Sequence, residues 1–474
     1  MKKNIKIFIL GGIMAMFSSC QTYLDVNIDP TLKSDVTLQE LLPTIIFYTG
    51  ESSYRQAFIT CQYTQQIGSA TTSGGLDAQD DTDNAQGWVE MYLNVLPHCN
   101  IMSEKAKTQN APAYEGIAKV LLAYNLGIAT TCWENIPYSS ADKKDFAPVY
   151  DNQEQIYQEI PKLLDAAIAA LAQNSGAKPA ADDLIYKGDL GKWTRLAYTL
   201  KARFAMHLTK KGAVQNANIA LTALQNGMKG NDDDFQLQYN SRNLGPWYSR
   251  VALSNTTGNL SITHCATLIN LMNGTTFPVA DPRLPLIATL RRNQTLYNGT
   301  RPGANQGATV DFTTASWHSG LNSPMQFCTF SEAKALEAEA RFIVNGGTII
   351  SKGSNQAAYD AYLEIARANM TRMGVTTAAA NTYLTSKSVA VGTTALTLTD
   401  IMREKYKAMF LIGDIWTDFR RYDYLFSTYP ENPNLDLNGK TIQRILYPLS
   451  ESTRNSKVYQ ANFKAMGETM WMFK

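Results

Sequence analysis

Apolar residues return every three or four positions along several stretches of this 474-residue chain. In the stretch from 151 to 173 the apolar positions are Ile156, Ile160, Leu163, Leu164, Ala167, Ile168 and Leu171. That spacing places all of them on one face of an α-helix. A helix with one apolar face becomes stable when another element covers that face. The pattern therefore predicts a mainly α-helical protein whose helices pack against one another.

The first residues of this stretch are of the kinds expected where a helix begins. Asp151 is predicted to cap the first turn, with Glu154 three positions later as in a capping box. Pro161 lies inside the stretch, and we expect it to bend or interrupt the first turns because proline has no amide hydrogen to donate.

Other stretches carry the same spacing. Helices are predicted from Pro112 to Ile128, from Trp193 to Leu208, from a Thr329 cap through Glu332 to Ile343, and from about Gln356 to Met373. Helices of this length joined in pairs predict a tetratricopeptide-like right-handed helical-repeat scaffold. The full repeat consensus does not recur at a fixed period, so this prediction rests partly on a family resemblance.

The stretch from about 226 to 328 is rich in Gly, Asn, Thr, Ser and Pro and has no long apolar stripe. Long irregular segments on a rigid scaffold often hold binding sites. This segment contains four aromatic residues whose flat rings suit a ligand, Trp247, Tyr248, Tyr297 and Trp317. Two interpretations stay open: a loop-rich ligand-binding portion with these four as contacts, or a loop-rich subdomain with these four in its core.

The N-terminus has the order of a secretory signal. Lys2, Lys3 and Lys6 precede an apolar stretch from 7 to 17, and Ser18 and Ser19 stand directly before Cys20. The apolar stretch is shorter than the roughly 20 residues that a membrane-spanning helix needs. Small residues before a cysteine predict a lipoprotein signal peptide over residues 1–19 and a lipid on Cys20, which would hold the protein to a membrane. The alternative is an ordinary signal peptide with Cys20 nearby by chance.

Composition and cysteine spacing exclude several classes of protein. The chain is 45% hydrophobic and 18% charged with a net charge of +2, which gives no reason to expect nucleic acid as a partner. The cysteines after Cys20 share no CxxC spacing, so neither a zinc site nor a redox motif is predicted. We expect these cysteines to be mostly buried thiols, with one disulfide left open.

Motifs of catalysis and cofactor binding are missing. The sequence has no HExxH, GxSxG, GxxxxGK[ST] or GxGxxG, and its four histidines lack metal-ligand spacing. Asn434, Asp436 and Asn438 resemble the start of a calcium loop, but Ile445 stands where the final glutamate belongs, so a plain turn is predicted. No catalytic residue, metal or cofactor is predicted; a glycosidase-type carboxylate pair stays open because only spatial separation would reveal it.

Several motifs along the chain resemble those of SusD/RagB outer-membrane nutrient-binding lipoproteins. Cys20–Pro30 is similar to their "LDVN..P" opening, and Tyr150–Leu171 to their "YD..E.IY..I...LD.AI..L" helix. Further matches are Ile136–Tyr138, where Glu134 replaces a common glycine, Asp189–Arg203, Asp281–Arg283, Phe330–Ala340, Arg403–Arg421 and Tyr447–Glu451. The shared order covers nearly the whole chain and is closest to a shorter SusD-like branch.

The resemblance implies a single SusD-like domain over residues 20–474, without catalytic activity. It implies a lipid-anchored outer-membrane protein that faces outward, captures oligosaccharide or peptide, and serves a TonB-dependent SusC-like transporter. Trp133, Trp193 and Trp416 each match a motif of the scaffold, so they are poorer ligand contacts than the four aromatic residues of the loop-rich segment.

Two other functions remain as alternatives at this point. The chain could be an exported lipoprotein hydrolase built on a helical scaffold, or a transporter lid with no ligand site of its own. Release of reducing ends from polysaccharides would identify the hydrolase, and a lack of affinity for any ligand would identify the lid.

Overall fold

Long α-helices packed side by side form the larger part of the structure, and a segment of short strands is inserted among them. The computed structural model describes residues 36–141, 147–425, 427 and 430–474. The predicted signal peptide and Cys20 lie outside the described residues. No helix among the described residues is both long enough and apolar enough to cross a membrane.

The helices have the following bounds in chain order. They are α1 (Leu38–Tyr63), α2 (Ala85–Val89), α3 (Leu96–Thr108), α4 (Pro112–Trp133), α5 (Gln153–Leu171), α6 (Leu190–His207), α7 (Ala213–Leu224), α8 (Leu253–Thr256), α9 (Ala266–Asn270), α10 (Leu284–Ile287), α11 (Phe330–Val344), α12 (Gln356–Arg372), α13 (Thr377–Leu384), α14 (Leu398–Ala408), α15 (Ile415–Arg421), α16 (Leu449–Arg454) and α17 (Ser456–Asn462). Short 3₁₀ turns cover Leu76–Ala78, Asn231–Asp233, Leu435–Leu437 and Trp471–Phe473, and π-helical turns cover Glu90–Val95 and Tyr248–Ala252.

The strands are short and pair in antiparallel twos. They are β1 (Ile67–Ser69), β2 (Phe235–Gln238), β3 (Ile262–His264), β4 (Thr289–Leu290), β5 (Val310–Asp311) and β6 (Pro324–Cys328). β1 pairs with β3, β2 with β6 and β4 with β5. Most of these strands belong to the stretch between α7 and α11, where short elements replace the long helices.

Consecutive long helices pack on one another in a continuous stack. α3 packs on α4, α4 on α5, α5 on α6, and α6 on α7. The stack then continues across the inserted segment, because α7 packs on α11, which in turn contacts α12 and α14. Stacked helix pairs of this kind are the arrangement that the sequence predicted.

The apolar stripes predicted from the sequence form the interface between α4 and α5. The side-chain amide of Gln153 donates to the Thr130 carbonyl at 2.9 Å, so the end of α4 meets the start of α5. At the opposite end Gly116 faces Leu171, where an added Cβ would lie 2.7 Å from the leucine Cγ. The two helices are therefore antiparallel, and the central Leu164 between them is fully buried.

The start of α5 differs from the sequence prediction. Asn152 caps the helix with Gln155 in a capping box, one residue later than predicted. Asp151 is not the cap, because its backbone pairs with Ile136 and its carboxylate accepts from the Ser139 amide at 2.8 Å. The extended pairing holds Asp151 outside helical geometry. The helix also runs through Pro161 without interruption, supported by the packing of α4 and α6 on either side.

Other predicted helix ends agree with the structure. α4 begins at Pro112, and the Thr329 hydroxyl caps α11 by accepting from the Glu332 amide at 3.2 Å. α12 ends just before Gly374, whose φ of +76° suits glycine at the end of a helix. Cys61, Cys99, Cys132, Cys265 and Cys328 are all free and buried, which confirms the prediction of buried thiols.

Candidate functional site

The four aromatic residues proposed as ligand contacts do not share one exposed surface. Trp247 is 3% exposed and packs its ring against Tyr54 at 5.0 Å and Phe312 at 6.0 Å between ring centres. This side chain belongs to the core of the inserted segment. A ligand cannot contact the Trp247 ring directly, because neighbouring side chains cover it.

The other three aromatic residues are half-buried. Tyr248 opens the π-helical turn that follows Trp247. Trp317 lies 4.8 Å from the His318 ring, and its backbone amide donates to the Leu286 carbonyl at 2.8 Å. The Tyr297 carbonyl accepts from the Asn273 side chain at 2.8 Å. Each of these residues keeps some exposed surface.

A cleft of about 540 Å³ lies where the inserted segment meets α14. Its volume is within the range of small-molecule sites. The residues that line it come from α9 and the turn after it, from the loop at 301 and 302, from α14, and from the chain after α15. They are Ala266, Thr267, Asn270, Leu271, Thr276, Phe277, Arg301, Pro302, Thr399, Met402, Arg403, Tyr406, Leu425, Ser427 and Glu431.

The floor of the cleft is apolar and aromatic. Phe277, Met402 and Tyr406 are buried there. The Tyr406 hydroxyl donates to the Thr64 carbonyl at the end of α1, at 2.8 Å. Because its polar end is engaged elsewhere, Tyr406 contributes mainly its ring to the floor.

Arg403 covers one side of that floor. Its guanidinium carbon lies 4.0 Å from the centre of the Phe277 ring, within the distance of a cation–π contact. One terminal nitrogen donates to Asp400 at 2.6 Å. The Arg403 Nε is buried and has no acceptor among the described residues, which leaves a donor beside the cleft for a water molecule or a ligand.

The rim of the cleft carries exposed polar groups. Thr276 and Thr399 are exposed, and Arg301 pairs with Glu431 at 3.4 Å where both side chains are about half exposed. An ion pair this exposed is held weakly, so a ligand can replace either partner at low cost. The rim therefore offers donors and acceptors around an apolar floor.

Gly303 joins the loops that form this rim. Its amide donates to the Asp77 carboxylate at 2.8 Å, and the neighbouring Pro302 carbonyl accepts from the Glu431 amide at 2.8 Å. Gly303 has a φ of +74°, and an added Cβ would collide with the Glu431 carbonyl. Burial raises the pKa of Asp77, which the Gly303 amide partly offsets.

A buried cluster of charges supports the floor from below. Arg283 donates to Asp281 at 2.6 Å and to Glu404 at 3.0 Å, and Lys407 pairs with Asp281 at 3.2 Å. Burial alone would raise the pKa of Asp281, but the charges of Arg283 and Lys407 hold it below its ordinary value. Paired and hydrogen-bonded in this way, the cluster fixes α14 against the turn that carries Phe277.

The buried histidine that comes nearest to a catalytic arrangement lies elsewhere. The Tyr157 hydroxyl is 2.9 Å from His207 Nδ1, and His207 Nε2 is 3.1 Å from Asp414. The adjacent cavity, lined by Asp414 and Arg203, is about 10 Å³, space for at most one water molecule. A substrate has no room there, so the three side chains are packed residues of the scaffold. Among the described residues there is also no group of three metal-ligating side chains.

The cleft was not found from the sequence. Its lining comes from four segments that are far apart in the chain, and threonine is its most frequent residue type, which by itself does not point to a binding site. The sequence features that came nearest to it were two family motifs, Asp281–Arg283 and the motif that begins with Arg403–Tyr406. They indicated the family and did not indicate a cleft. In contrast, Trp133, Trp193 and Trp416 are fully or almost fully buried, as predicted for residues of the scaffold.

Comparison with a family model gives the first link to known proteins. Residues 30–448 match the SusD-like model described as "Starch-binding associating with outer membrane". No curated protein sequence matches the chain.

Solved structures of SusD homologues have the same fold. A homologue from Bacteroides uniformis is 20% identical with a TM-score of 0.76, and the alignment covers 93% of this chain and 100% of that one. A chitin-binding SusD homologue from Flavobacterium johnsoniae is 19% identical with a TM-score of 0.74, covering 92% and 98%. A SusD/RagB family protein from Bacteroides thetaiotaomicron is 20% identical with a TM-score of 0.72, covering 93% and 99%. The predicted mainly helical, tetratricopeptide-like fold class is confirmed.

Proposed function

The chain belongs to the SusD-like family, and from this premise we propose that it is a surface lipoprotein that binds oligosaccharides and delivers them to a TonB-dependent SusC-like transporter. The cleft between the inserted segment and α14 is the proposed binding site. The observation that carries this proposal is the combination in one cleft of an apolar aromatic floor with an exposed polar rim. Sugar rings present apolar faces and hydroxyl edges, so they match both parts.

The names of relatives support a glycan over other ligands. The family model is described as starch-binding, and the Flavobacterium homologue as chitin-binding. Peptide is the second ligand class that this type of cleft would accept. The floor residues Phe277 and Tyr406 would stack on a ring, while Asn270 and Arg301 would bind hydroxyl groups.

The aromatic residues predicted from the sequence have different places in this proposal. Tyr248, Tyr297 and Trp317 are half-buried and are proposed as outer contacts for a longer ligand. Trp247 is buried, so we propose that it supports Tyr54 and the rings beside it instead of touching the ligand.

The location and the partner are also proposals. A lipid on Cys20 would anchor the protein to the outer membrane, facing outward, and the SusC-like barrel would lie beneath it. An interface of this kind usually buries more than roughly 1,000 Å² and survives mild detergent. Tagged protein that always emerges alone from gently solubilised outer membranes, with the barrel expressed, would contradict the partnership.

Calorimetry with malto-oligosaccharides and chito-oligosaccharides tests the binding site. Thr399 is exposed, lies on α14 and lines the cleft, so Thr399→Trp would fill the cleft without disturbing the core. We expect it to weaken binding about tenfold or more, which corresponds to the loss of roughly one good contact. Thr382→Trp, at an exposed helical threonine outside the cleft, is the matched control and should bind normally.

The alternatives give different results in the same experiments. Equal affinity of both tryptophan variants would place the site outside the cleft. Reducing ends released from the oligosaccharides would indicate a hydrolase, and a complete lack of affinity would indicate a transporter lid.

A further inference from the structure

Arg55 on α1 is half-buried and has no hydrogen-bond acceptor or ion-pair partner among the described residues. Its Nε is fully shielded from solvent and unbonded. Every other described arginine that is at least partly buried donates to a carboxylate, an amide oxygen or a backbone carbonyl, as in the pairs Arg203–Glu332 and Arg444–Glu134. A shielded donor without an acceptor loses free energy, and such groups are uncommon in folded proteins. The exception at Arg55 indicates a missing acceptor.

The natural partner of Arg55 is already occupied. Glu51 lies four residues earlier on the same helix, the usual position for an ion pair with an arginine. Instead, Arg250 from the inserted segment donates to Glu51 at 2.7 Å. Two guanidinium groups and one carboxylate therefore lie together, which leaves one positive charge without a counter-charge.

The Tyr54 ring lies next to both guanidinium groups. The guanidinium carbon of Arg250 is 5.1 Å from the ring centre, and that of Arg55 is 5.9 Å away. Both distances are within the range of cation–π contacts. These contacts hold the two arginines near the ring, but a ring face cannot replace the directed hydrogen bonds of a carboxylate.

Phe58 supplies a flat apolar surface beside Arg55. It is half-buried, lies three residues later on α1, and its ring is 5.9 Å from Tyr54 and 6.4 Å from Trp247. The Trp247 indole nitrogen and the Tyr239 hydroxyl are also buried without hydrogen-bond partners among the described residues. Aromatic faces next to unpaired donors are the elements that bind an acidic sugar: the ring stacks and the carboxylate pairs with the guanidinium.

We infer that the surface formed by Arg55, Phe58 and Arg250, which we call the Arg55 surface, binds the carboxylate of an acidic oligosaccharide. This inference rests on the proposed function, because it specifies the class of glycan. A saccharide is favoured over an acidic peptide because the donors lie beside aromatic rings and not among further cations. The inference also gives a role to Trp247, which supports Phe58 from within.

Tetragalacturonic acid and its fully methyl-esterified form are the probes, since they share one sugar backbone and the ester replaces each charged carboxylate with a neutral methyl ester. We expect the acid to bind the wild-type protein about tenfold more tightly than the ester, as charge-assisted hydrogen bonds require. Arg55→Gln should abolish that difference while leaving the ester unaffected. Arg242→Gln, at an exposed arginine in the inserted segment, is the matched control and should leave the difference intact.

Other outcomes would overturn the inference. The first is equal binding of acid and ester by the wild-type protein. The second is unchanged acid binding by Arg55→Gln with an unchanged melting temperature. The third is an affinity for tetraglutamate equal to that for tetragalacturonic acid, which would favour a peptide. The cleft is tested separately by Thr399→Trp and neutral oligosaccharides. A failure of the proposed binding site in the cleft can therefore be distinguished from a failure of the inference about the Arg55 surface.

Discussion

Arg283 donates a hydrogen bond to Glu404 at 3.0 Å, although the two residues are 121 positions apart in the chain. Arg283 follows the turn that carries Phe277, and Glu404 lies on α14 between the cleft residues Arg403 and Tyr406. This bond therefore joins the two sides of the candidate site beneath its floor. It also joins two family motifs that were recognised separately in the sequence.

Glu404→Ala should destabilise the protein strongly. Glu404 also accepts from the Tyr383 hydroxyl at 2.7 Å and pairs with Lys407 at 2.5 Å, so its removal leaves the buried Arg283 and Lys407 to share the single Asp281 carboxylate. We expect a loss of about 3–5 kcal/mol in the free energy of unfolding. Urea unfolding measures it, with Glu364→Ala as control: its pair with Arg367 is partly exposed, and the loss should be within about 1 kcal/mol. A similarly small loss for both variants would contradict a supporting role for the cluster.

Stability should rise with pH between about 4 and 6.5, the window set by two buried histidines. Burial lowers the pKa of His264 to about 4, and burial together with Arg372 and His264 lowers that of His318 to about 3. In the unfolded chain each histidine binds its proton near pH 6.5. The contribution of the two histidines to the free energy of unfolding is therefore fully present above that pH and falls as the pH drops. From pH 7 to pH 5 each histidine should account for about 2 kcal/mol.

His318→Phe tests this pH dependence. The variant should remove about half of the histidine contribution between pH 7 and pH 5, measured as the free energy of unfolding at several pH values. The comparison isolates His318, because the carboxylates titrate alike in both proteins. An unchanged slope would mean that His318 is already protonated or exposed in the folded state.

Leu164→Asp should place an unpaired charge in the seam between α4 and α5. Leu164 is fully buried there, so we expect a loss of roughly 3 kcal/mol or more in the free energy of unfolding. Ala169→Asp, at an exposed position of the same helix, should change stability by no more than about 0.5 kcal/mol. If Leu164→Asp also stays within that range, Leu164 is not a core residue.

Gly303→Ala should displace the rim of the cleft. The added Cβ would collide with the Glu431 carbonyl, and alanine rarely adopts the positive φ of this position. Gly307→Ala is the control, since Gly307 has a φ of +90° but no atom closer than 3.8 Å to the new Cβ. We expect oligosaccharide affinity to fall several-fold in Gly303→Ala and to persist in Gly307→Ala. Equal losses would assign the effect to backbone strain alone.

Cys20→Ala should release the protein from membrane fractions. Small residues and an apolar stretch precede Cys20, as in a lipoprotein signal. Fractionation of cells that express wild-type and variant protein measures the effect. A variant that still pellets with the outer membrane in the absence of the barrel would contradict a lipid anchor on this residue.

Local sequence patterns determined most of the scaffold. The apolar stripes from Pro112 to Ile128 and through Leu164 predicted α4 and α5, and Pro112 and Thr329 predicted the starts of α4 and α11. These features depend on residues within one or two turns of each other, so spacing alone reveals them. The cap of α5 was missed because the pairing of Asp151 with Ile136 lies outside the helix.

The candidate sites were decided by tertiary structure. Trp247 is a core residue because Tyr54 and Phe312 enclose it, and neither contact can be read from the sequence around it. The cleft exists because α9, the loop at Gly303 and α14 meet in space. Arg55 lacks a partner because Glu51 is paired with Arg250, which is 199 positions away in the chain. Helix formation depends on neighbours in the chain, whereas burial and charge pairing depend on neighbours in space, which the fold alone brings together.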